Sequence, residues 1–232
     1  MRWGGERRNA LGGGRRNARG ESEAVARDGG SGNAMERPLV LGILGSPRPK
    51  STTGLLLARL LAGAQAEGAR VEQVDLRDLD FCSCRHCRGC EASGQCVVRD
   101  DVQQLYASIR GATHLVLASP IHFSGVSGEM KSMIDRGQQL WVETYRLKRR
   151  PTPVAEPRRG VFLATCGGSD ARVFGWAEHS VKAWFNCAAF TCWASLFEAN
   201  TDAPPPVSER GEVLARAEAL GRRLVSGQGR ER

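Results

Sequence analysis

From Leu39 onward the chain alternates short apolar runs with longer stretches whose apolar residues fall three or four apart. LVLGIL, Leu39–Leu44, is apolar throughout and ends in a Gly-Ser-Pro turn, which predicts a buried strand. The stretch after it has helical spacing and predicts a helix over Thr53–Glu67, stopped at Gly68. The same reading predicts strands at Arg70–Asp75, His114–Ser119, Gly160–Thr165 and Phe190–Phe197. Helices are predicted at Asp101–Ile109, Glu129–Trp141, Phe174–Asn186 and Glu209–Leu224. The remaining segments are a Cys-rich insertion at Phe81–Arg99, a loop at Pro120–Gly128, a Pro/Arg-rich connection at Glu143–Arg159 and a Pro-rich loop at Ala199–Val207. Five strands alternating with helices predict one α/β domain, a three-layer sandwich around a parallel sheet.

Residues Met1–Ala34 break this pattern. They are rich in Gly, Arg, Asn and Ser, bury too little to offset ordering entropy, and are expected to be disordered. They lack the apolar centre of a secretory signal. Met35 stands just before the first strand, which suggests that translation starts there and that residues 35–232 are the domain proper. The whole chain has 232 residues, with 41% hydrophobic and 25% charged, as in a soluble globular protein. No apolar run is long enough to span a membrane. The net charge of +8 invites a nucleic-acid reading, but no recognition motif accompanies it, so neither nucleic acid nor membrane is expected as a partner. Eight cysteines without a signal peptide point to a reducing, cytoplasmic setting, where a tight Cys cluster serves metal or redox chemistry.

Three loops carry candidate chemistry, all at the carboxyl edge of the predicted sheet, where parallel α/β folds bind ligands. In the first, Ser46, Ser51, Thr52 and Thr53 supply hydroxyls and Arg48 a cationic fork beside a helix N-terminus, a set suited to a phosphate monoester. The loop is neither G-x-G-x-x-G nor G-x-x-x-x-G-K-[ST], which disfavours dinucleotide and Walker-type binding; an ordinary strand-to-helix turn with an N-cap remains open. In the second, Pro120, Ile121, His122 and Phe123 offer an apolar and aromatic wall for a flat heterocycle, with Ser124 turning toward the next helix. His122 is a protonatable partner or a plain loop histidine. Met130, Met133 and Ile134 have the spacing of core or interface residues. In the third, Thr165, Cys166, Gly167 and Gly168 let the backbone approach a ligand closely.

The insertion contains Cys84, Cys87, Cys90 and Cys96, separated by two, two and five residues. C-x-x-C-x-x-C is a compact chelating turn, and a fourth thiolate completes the set an iron–sulfur cluster needs. Zinc, or a loop of unliganded thiols, remains open. Cys82 is a spare or an alternative ligand. Cys187 and Cys192, like Cys166, read as small buried hydrophobes. Asp100 and Asp101 read as helix-capping residues, with metal binding as the alternative.

Together GSPRPKSTT, the Cys run ending in VVRDD, SPIHFSGVSGEMKSMIDR and the CGG turn resemble the NAD(P)H-dependent FMN reductase and iron–sulfur flavoprotein family, of flavodoxin-like fold. The resemblance covers about Pro38–Phe197. It implies a noncovalent FMN, its phosphate held by Ser46, Arg48, Ser51, Thr52 and Thr53. It implies a ring flanked by Pro120–Ser124 and Thr165–Gly168. Where the family often has Tyr, this chain has His122, which leaves ring stacking to Phe123. By the same resemblance Cys84, Cys87, Cys90 and Cys96 hold a four-iron four-sulfur cluster. The implied activity is NAD(P)H reduction of FMN, with electrons passing to a quinone, flavin, nitro compound or metal ion, in a homodimer or homotetramer. The alternative is an electron-transfer protein working between redox partners; a flavin-free regulatory module is the third reading.

Overall fold

The structure is a computed structural model and describes residues 37–149 and 157–227. The expectations for Met1–Ala34 and Met35, and the middle of the Pro/Arg-rich connection, lie outside the described residues. In chain order the elements are β1 (Leu39–Leu44), α1 (Thr52–Ala66), β2 (Arg70–Asp75), α2 (Val102–Gly111), β3 (His114–His122) and β4 (Gly125–Val126). There follow α3 (Gly128–Arg136), α4 (Gln138–Trp141), β5 (Arg159–Thr165), α5 (Val173–Cys187), β6 (Thr191–Glu198) and α6 (Gly211–Ser226). The parallel strands run in the order β2-β1-β3-β5-β6, and the short β4 pairs antiparallel with β3. Counting parallel strands alone, this is the 2-1-3-4-5 order of flavodoxin-like folds. Its switch point lies between β1 and β3, so the loops after those strands flank one crevice.

Strand residues alternate between two apolar layers. Leu41, Ile43, Leu115, Leu117, Phe162 and Ala164 pack with α2, α3 and α5. Val40, Leu44, Val116, Ala118, Val161 and Leu163 pack with α1 and α6. The second layer closes through two glycines. A Cβ on Gly63 would fall on the Glu218 carbonyl oxygen, and one on Gly221 on the Leu60 carbonyl oxygen, so α1 and α6 touch backbone to backbone.

Some boundaries differ from the sequence pattern. β3 continues past Ser119 to His122, because Ile121 and His122 pair with Val126 and Gly125 across a tight turn. Phe123 and Ser124 form that turn with φ of 49° and 62°, the left-handed pair that a two-residue hairpin requires. The helix expected over Glu129–Trp141 is two helices that meet at Gly137, where the Trp184 indole sits against the backbone. A π-helical turn, Val142–Arg146, extends the second. Met130 and Met133 are fully buried core residues. Cys166, Cys187 and Cys192 are only partly buried, because they lie at the margin of the first layer rather than inside it. Among the described residues no helix is long and apolar enough to cross a membrane.

Two stability predictions follow from this packing. Replacing Gly221 with Ala improves helix propensity by about 1 kcal/mol, but the added methyl meets a carbonyl that cannot rotate away, and overpacking costs about 1–3 kcal/mol. Gly221→Ala is therefore expected to lower the denaturant midpoint; an unchanged or raised midpoint would refute the close contact. His114 is 4% exposed and accepts a hydrogen bond at Nδ1 from the Arg159 N–H at 3.3 Å. Burial, with Arg159 and Arg158 beside it, pushes its pKa down to about 4. The unfolded chain, with a His pKa of about 6.5, takes up the proton first as pH falls. The neutral imidazole's contribution is thus complete above about 6.5 and is lost on the way down to 4, in total about 3 kcal/mol. His114→Asn should flatten the fall in stability over that window, read from denaturation midpoints at successive pH values.

Candidate functional site

The loop after β1 is held at both ends. The Gly45 N–H donates to Ala118 O at 2.8 Å, and the Ser127 hydroxyl donates to Gly45 O at 2.5 Å. Gly45 has no room for a side chain, since a Cβ there would meet the Met130 Cβ at 2.8 Å. The Ser127 N–H in turn donates to Ser119 Oγ at 2.9 Å, which ties the loops after β1 and β3 together. Ser51 caps α1, its Oγ accepting the Gly54 N–H at 3.0 Å, and Ser46 Oγ accepts the Arg48 N–H at 3.3 Å. Both hydroxyls use a lone pair on the backbone and keep a proton for an anion. Arg77, paired with Asp75 at 2.6 Å, donates to the Arg48 carbonyl at 2.9 Å and braces the loop from below.

A cavity of about 320 Å³ opens between these loops, within the size range of small-molecule sites. Ser46, Arg48, Ser51, Thr52 and Thr53 line it from the first loop. Pro120, Ile121 and His122 line it from the second, and Thr165 and Gly167 from the third. Thr53 and Thr165 share a buried 2.6 Å hydroxyl–hydroxyl bond, which joins the start of α1 to the end of β5 and leaves one of the two protons free to donate. Phe123, Ser124, Cys166 and Gly168 do not line the cavity. Phe123 projects fully exposed from the hairpin tip. Cys166 and Gly168 instead give their carbonyls to the N–H groups of Thr201 and Asn200, at 3.0 and 2.7 Å.

That pairing adds residues absent from the sequence expectation. Thr201 and Asp202 enter the cavity wall, as do Pro47 and Lys50. A Cβ on Gly167 would strike the Asp202 carboxylate, so the glycine lets the loop after β6 close over the third loop. The available signal was positional, for β6 is parallel and its following loop must emerge at the same edge.

The second cluster lies in the Cys-rich segment, which has turns but neither helix nor strand over residues 82–99. Cys84, Cys87, Cys90 and Cys96 all line one cavity of about 280 Å³, and Cys82 does not. Burial pushes the Cys90 thiol up, and the sulfurs of Cys96, Cys84 and Cys87 add to this. His86 and Arg88 take left-handed conformations, φ 52° and 61°, where the chain winds around the cavity. Arg136, with a side chain 1% exposed, pairs with Asp100 and donates to the Cys82 carbonyl at 2.9 Å. Asp100 accepts the Val102 N–H at 3.2 Å at the start of α2, whereas Asp101, at the N-cap, makes no side-chain cap bond and instead accepts the Asp80 N–H at 2.7 Å, tying α2 to the chain before the cysteine segment. Burial raises the Asp100 pKa, but Arg136 and the N–H groups of Cys82 and Val102 outweigh it and hold the carboxyl below its usual value.

Among the described residues no three His, Cys, Asp or Glu side chains converge on one metal position. A single zinc needs four sulfurs about 2.3 Å from one point. In donor chemistry, the hydroxyls, Arg48 and helix N-terminus of the first cavity suit a phosphate such as that of FMN, and the four thiols lining the second are of the ligand type an iron–sulfur cluster takes.

The model of the NADPH-dependent FMN reductase family matches residues 38–192. An iron–sulfur flavoprotein of Methanocaldococcus jannaschii is 37% identical over 101 residues, 44% of this chain and 52% of that protein. One from Archaeoglobus fulgidus is 30% identical over 144 residues, 62% of each chain. This chain thus spans between half and two thirds of these curated relatives, at 52% and 62%. In fold, the chain is similar to the NAD(P)H:quinone oxidoreductase of Methanothermobacter marburgensis, with TM-score 0.62 and 22% identity over 85% of this chain and 99% of that one. With the family model matching residues 38–192, a span that includes all three loops, the chain belongs to the NADPH-dependent FMN reductase family.

Proposed function

We propose that this chain is an NAD(P)H-dependent flavin oxidoreductase that binds FMN noncovalently at the β1–β3 switch point. The observation that carries the reading is the gathering of hydroxyl, cationic and helix N-terminal donors in one cavity with the apolar Pro120 and Ile121. When bound, FMN would supply the redox chemistry, hydride acceptance from NAD(P)H and electron donation to a quinone, flavin, nitro compound or metal ion. Ser46, Ser51, Thr52, Thr53 and Arg48 hold the phosphate. Pro120, Ile121, His122, Thr165 and Gly167 flank the ring, and the hydrogen-bonded hairpin and turn around Ser124, Cys166 and Gly168 keep those walls in place. No side chain is required as a proton donor for hydride transfer, so the protein's task is to bind, orient and leave one face of the ring open.

The setting is read as cytoplasmic, supported by eight cysteines with no disulfide among them. A homodimer or homotetramer is supported by the large exposed side chains of Phe123, Trp141, Tyr145 and Trp176.

A second reading, an iron–sulfur flavoprotein that relays electrons between partner proteins, is favoured by the four cysteines around one cavity. Here Cys84, Cys87, Cys90 and Cys96 hold a four-iron four-sulfur cluster. Steady-state assays separate the two: rapid NAD(P)H oxidation with a small acceptor supports the enzyme, and reduction only by a ferredoxin-like donor supports the relay.

Arg48→Ala should weaken FMN about tenfold to a hundredfold, as expected for a charge-assisted bond to phosphate, and leave riboflavin nearly unaffected. Equal losses for both flavins, measured by fluorescence quenching, would remove the phosphate from that loop. For the cysteines, anaerobic reconstitution should load wild type with iron and sulfide. Single Ser variants of Cys84, Cys87, Cys90 and Cys96 should each lose the iron, and Cys82→Ser should keep it. Wild type that takes up zinc alone, or no metal, excludes the cluster.

A further inference from the structure

At the cysteine cavity two buried nitrogens have no acceptor in the protein, Nε of Arg136 and Nε2 of Gln139. Arg136 is 2% exposed and Gln139 6%. Both line the cavity shared by the four cysteines. A buried donor without a partner carries its full desolvation penalty, so native proteins rarely keep one. Two of them at one cavity mark a missing acceptor.

Neither side chain can turn away to find a partner elsewhere. Arg136 Nη1 and Nη2 are committed to Asp100, and they also reach the carbonyls of Cys82 and Val98. Gln139 Oε1 accepts the Cys96 N–H at 3.1 Å, which fixes the amide's orientation and leaves its NH2 group to the cavity. The acceptors on the cavity wall are the four cysteine sulfurs and the Glu91 carboxylate, and Glu91 is already paired with Arg88 and Arg146. The Arg136 guanidinium lies within hydrogen-bonding range of the Cys96 sulfur. Cys96 is thus the cysteine that both side chains approach, one at its sulfur and the other at its backbone.

We propose that Arg136 and Gln139 are positioning residues of the cysteine site, donating Nε–H and Nε2–H to sulfur at Cys96 and so raising the retention and the reduction potential of the cluster. The proposal rests on the iron–sulfur reading above. An added electron increases the negative charge on sulfur, so N–H donors favour the reduced form more than the oxidised one. Outer-shell donors of this kind also hold the ligand in place, and their loss typically costs tenfold to a hundredfold in metal affinity.

The test uses full-length protein reconstituted anaerobically with iron and sulfide. Gln139→Glu keeps an oxygen for the Cys96 N–H and removes the donor; Gln139→Leu removes donor and acceptor without adding charge, so the two together separate loss of the donor from added charge. Arg136→Lys keeps the charge and removes the Nε fork, and the two Gln139 variants carry the test if Arg136→Lys does not fold. Arg146→Gln is the control, since Arg146 also lines the cavity but its side chain is 54% exposed. Three quantities are read: iron and sulfide content, the rate of iron loss to a chelator, and the midpoint potential from a redox titration.

Both Gln139 variants should lose iron at least about tenfold faster, with the midpoint lowered by about 59 mV for each tenfold loss of preference for the reduced form. Arg146→Gln should move both quantities less. FMN affinity should stay at the wild-type value for the Gln139 variants, which a general loss of structure would not allow. Loaded wild type and Gln139 variants with the same potential and the same iron retention would overturn the proposal alone. An equal shift in Arg146→Gln would reduce the effect to bulk charge and also overturn it. Wild type that takes up no iron and sulfide, or zinc only, overturns the underlying cluster reading and this proposal with it, and that result is visible before any variant is made.

Discussion

The buried pair of Arg136 and Asp100 decides how the chain runs after β2. A guanidinium so enclosed is tolerated only with a carboxylate beside it and its remaining N–H groups bonded, because an uncompensated buried charge costs several kcal/mol or more. The acceptors it recruits are the carbonyls of Cys82 and Val98. Asp100 in turn receives the N–H groups of Cys82 and Val102. Both ends of the cysteine segment and the start of α2 are therefore gathered on one ion pair. The segment has no regular structure of its own and few buried apolar side chains, so this pair gives it a shape.

Arg136 is also the last residue of α3, whose N-cap, Ser127, holds Gly45 in the loop after β1. One short helix thus touches both cavities, the phosphate-type loop at its start and the cysteine cavity at its end. The nine helical residues span about 13.5 Å at 1.5 Å each. Met130 and Met133 lock the helix into the core between those ends.

Much of this was legible in the chain. Alternating apolar runs gave the parallel sheet, and the spacing of Cys84, Cys87, Cys90 and Cys96 separated them from Cys82, which the cavity lining repeats. The three loops of the first cavity follow from strand order alone. What escaped depends on tertiary geometry. Phe123 looks like a stacking residue by type, yet the left-handed turn it helps form aims it at solvent. Thr53 and Thr165 look like separate donors and bond to one another across 112 positions. Asp202 lies in a Pro-rich stretch with no motif, and only the paired backbones of residues 166–168 and 200–202 bring it in. Arg136 and Gln139 lie in a stretch expected to be helical, and nothing local announces that a loop 43 to 54 residues upstream will cover them.

The manner in which the cysteine segment is attached bears on how such a protein can evolve. Between Cys82 and Val98 its ties to the body are polar: hydrogen bonds to Arg136, Gln139, Gln103, Asp100, Ser132 and Arg149 and an ion pair from Glu91 to Arg146, while the apolar layers on either side of the sheet close without it. Changes of length or residue type within the segment leave those layers intact so long as both anchor points still reach Arg136. The segment behaves as an exchangeable cassette: a lineage can acquire, remodel or discard its thiols while the flavin-type crevice on the same scaffold goes on unaltered.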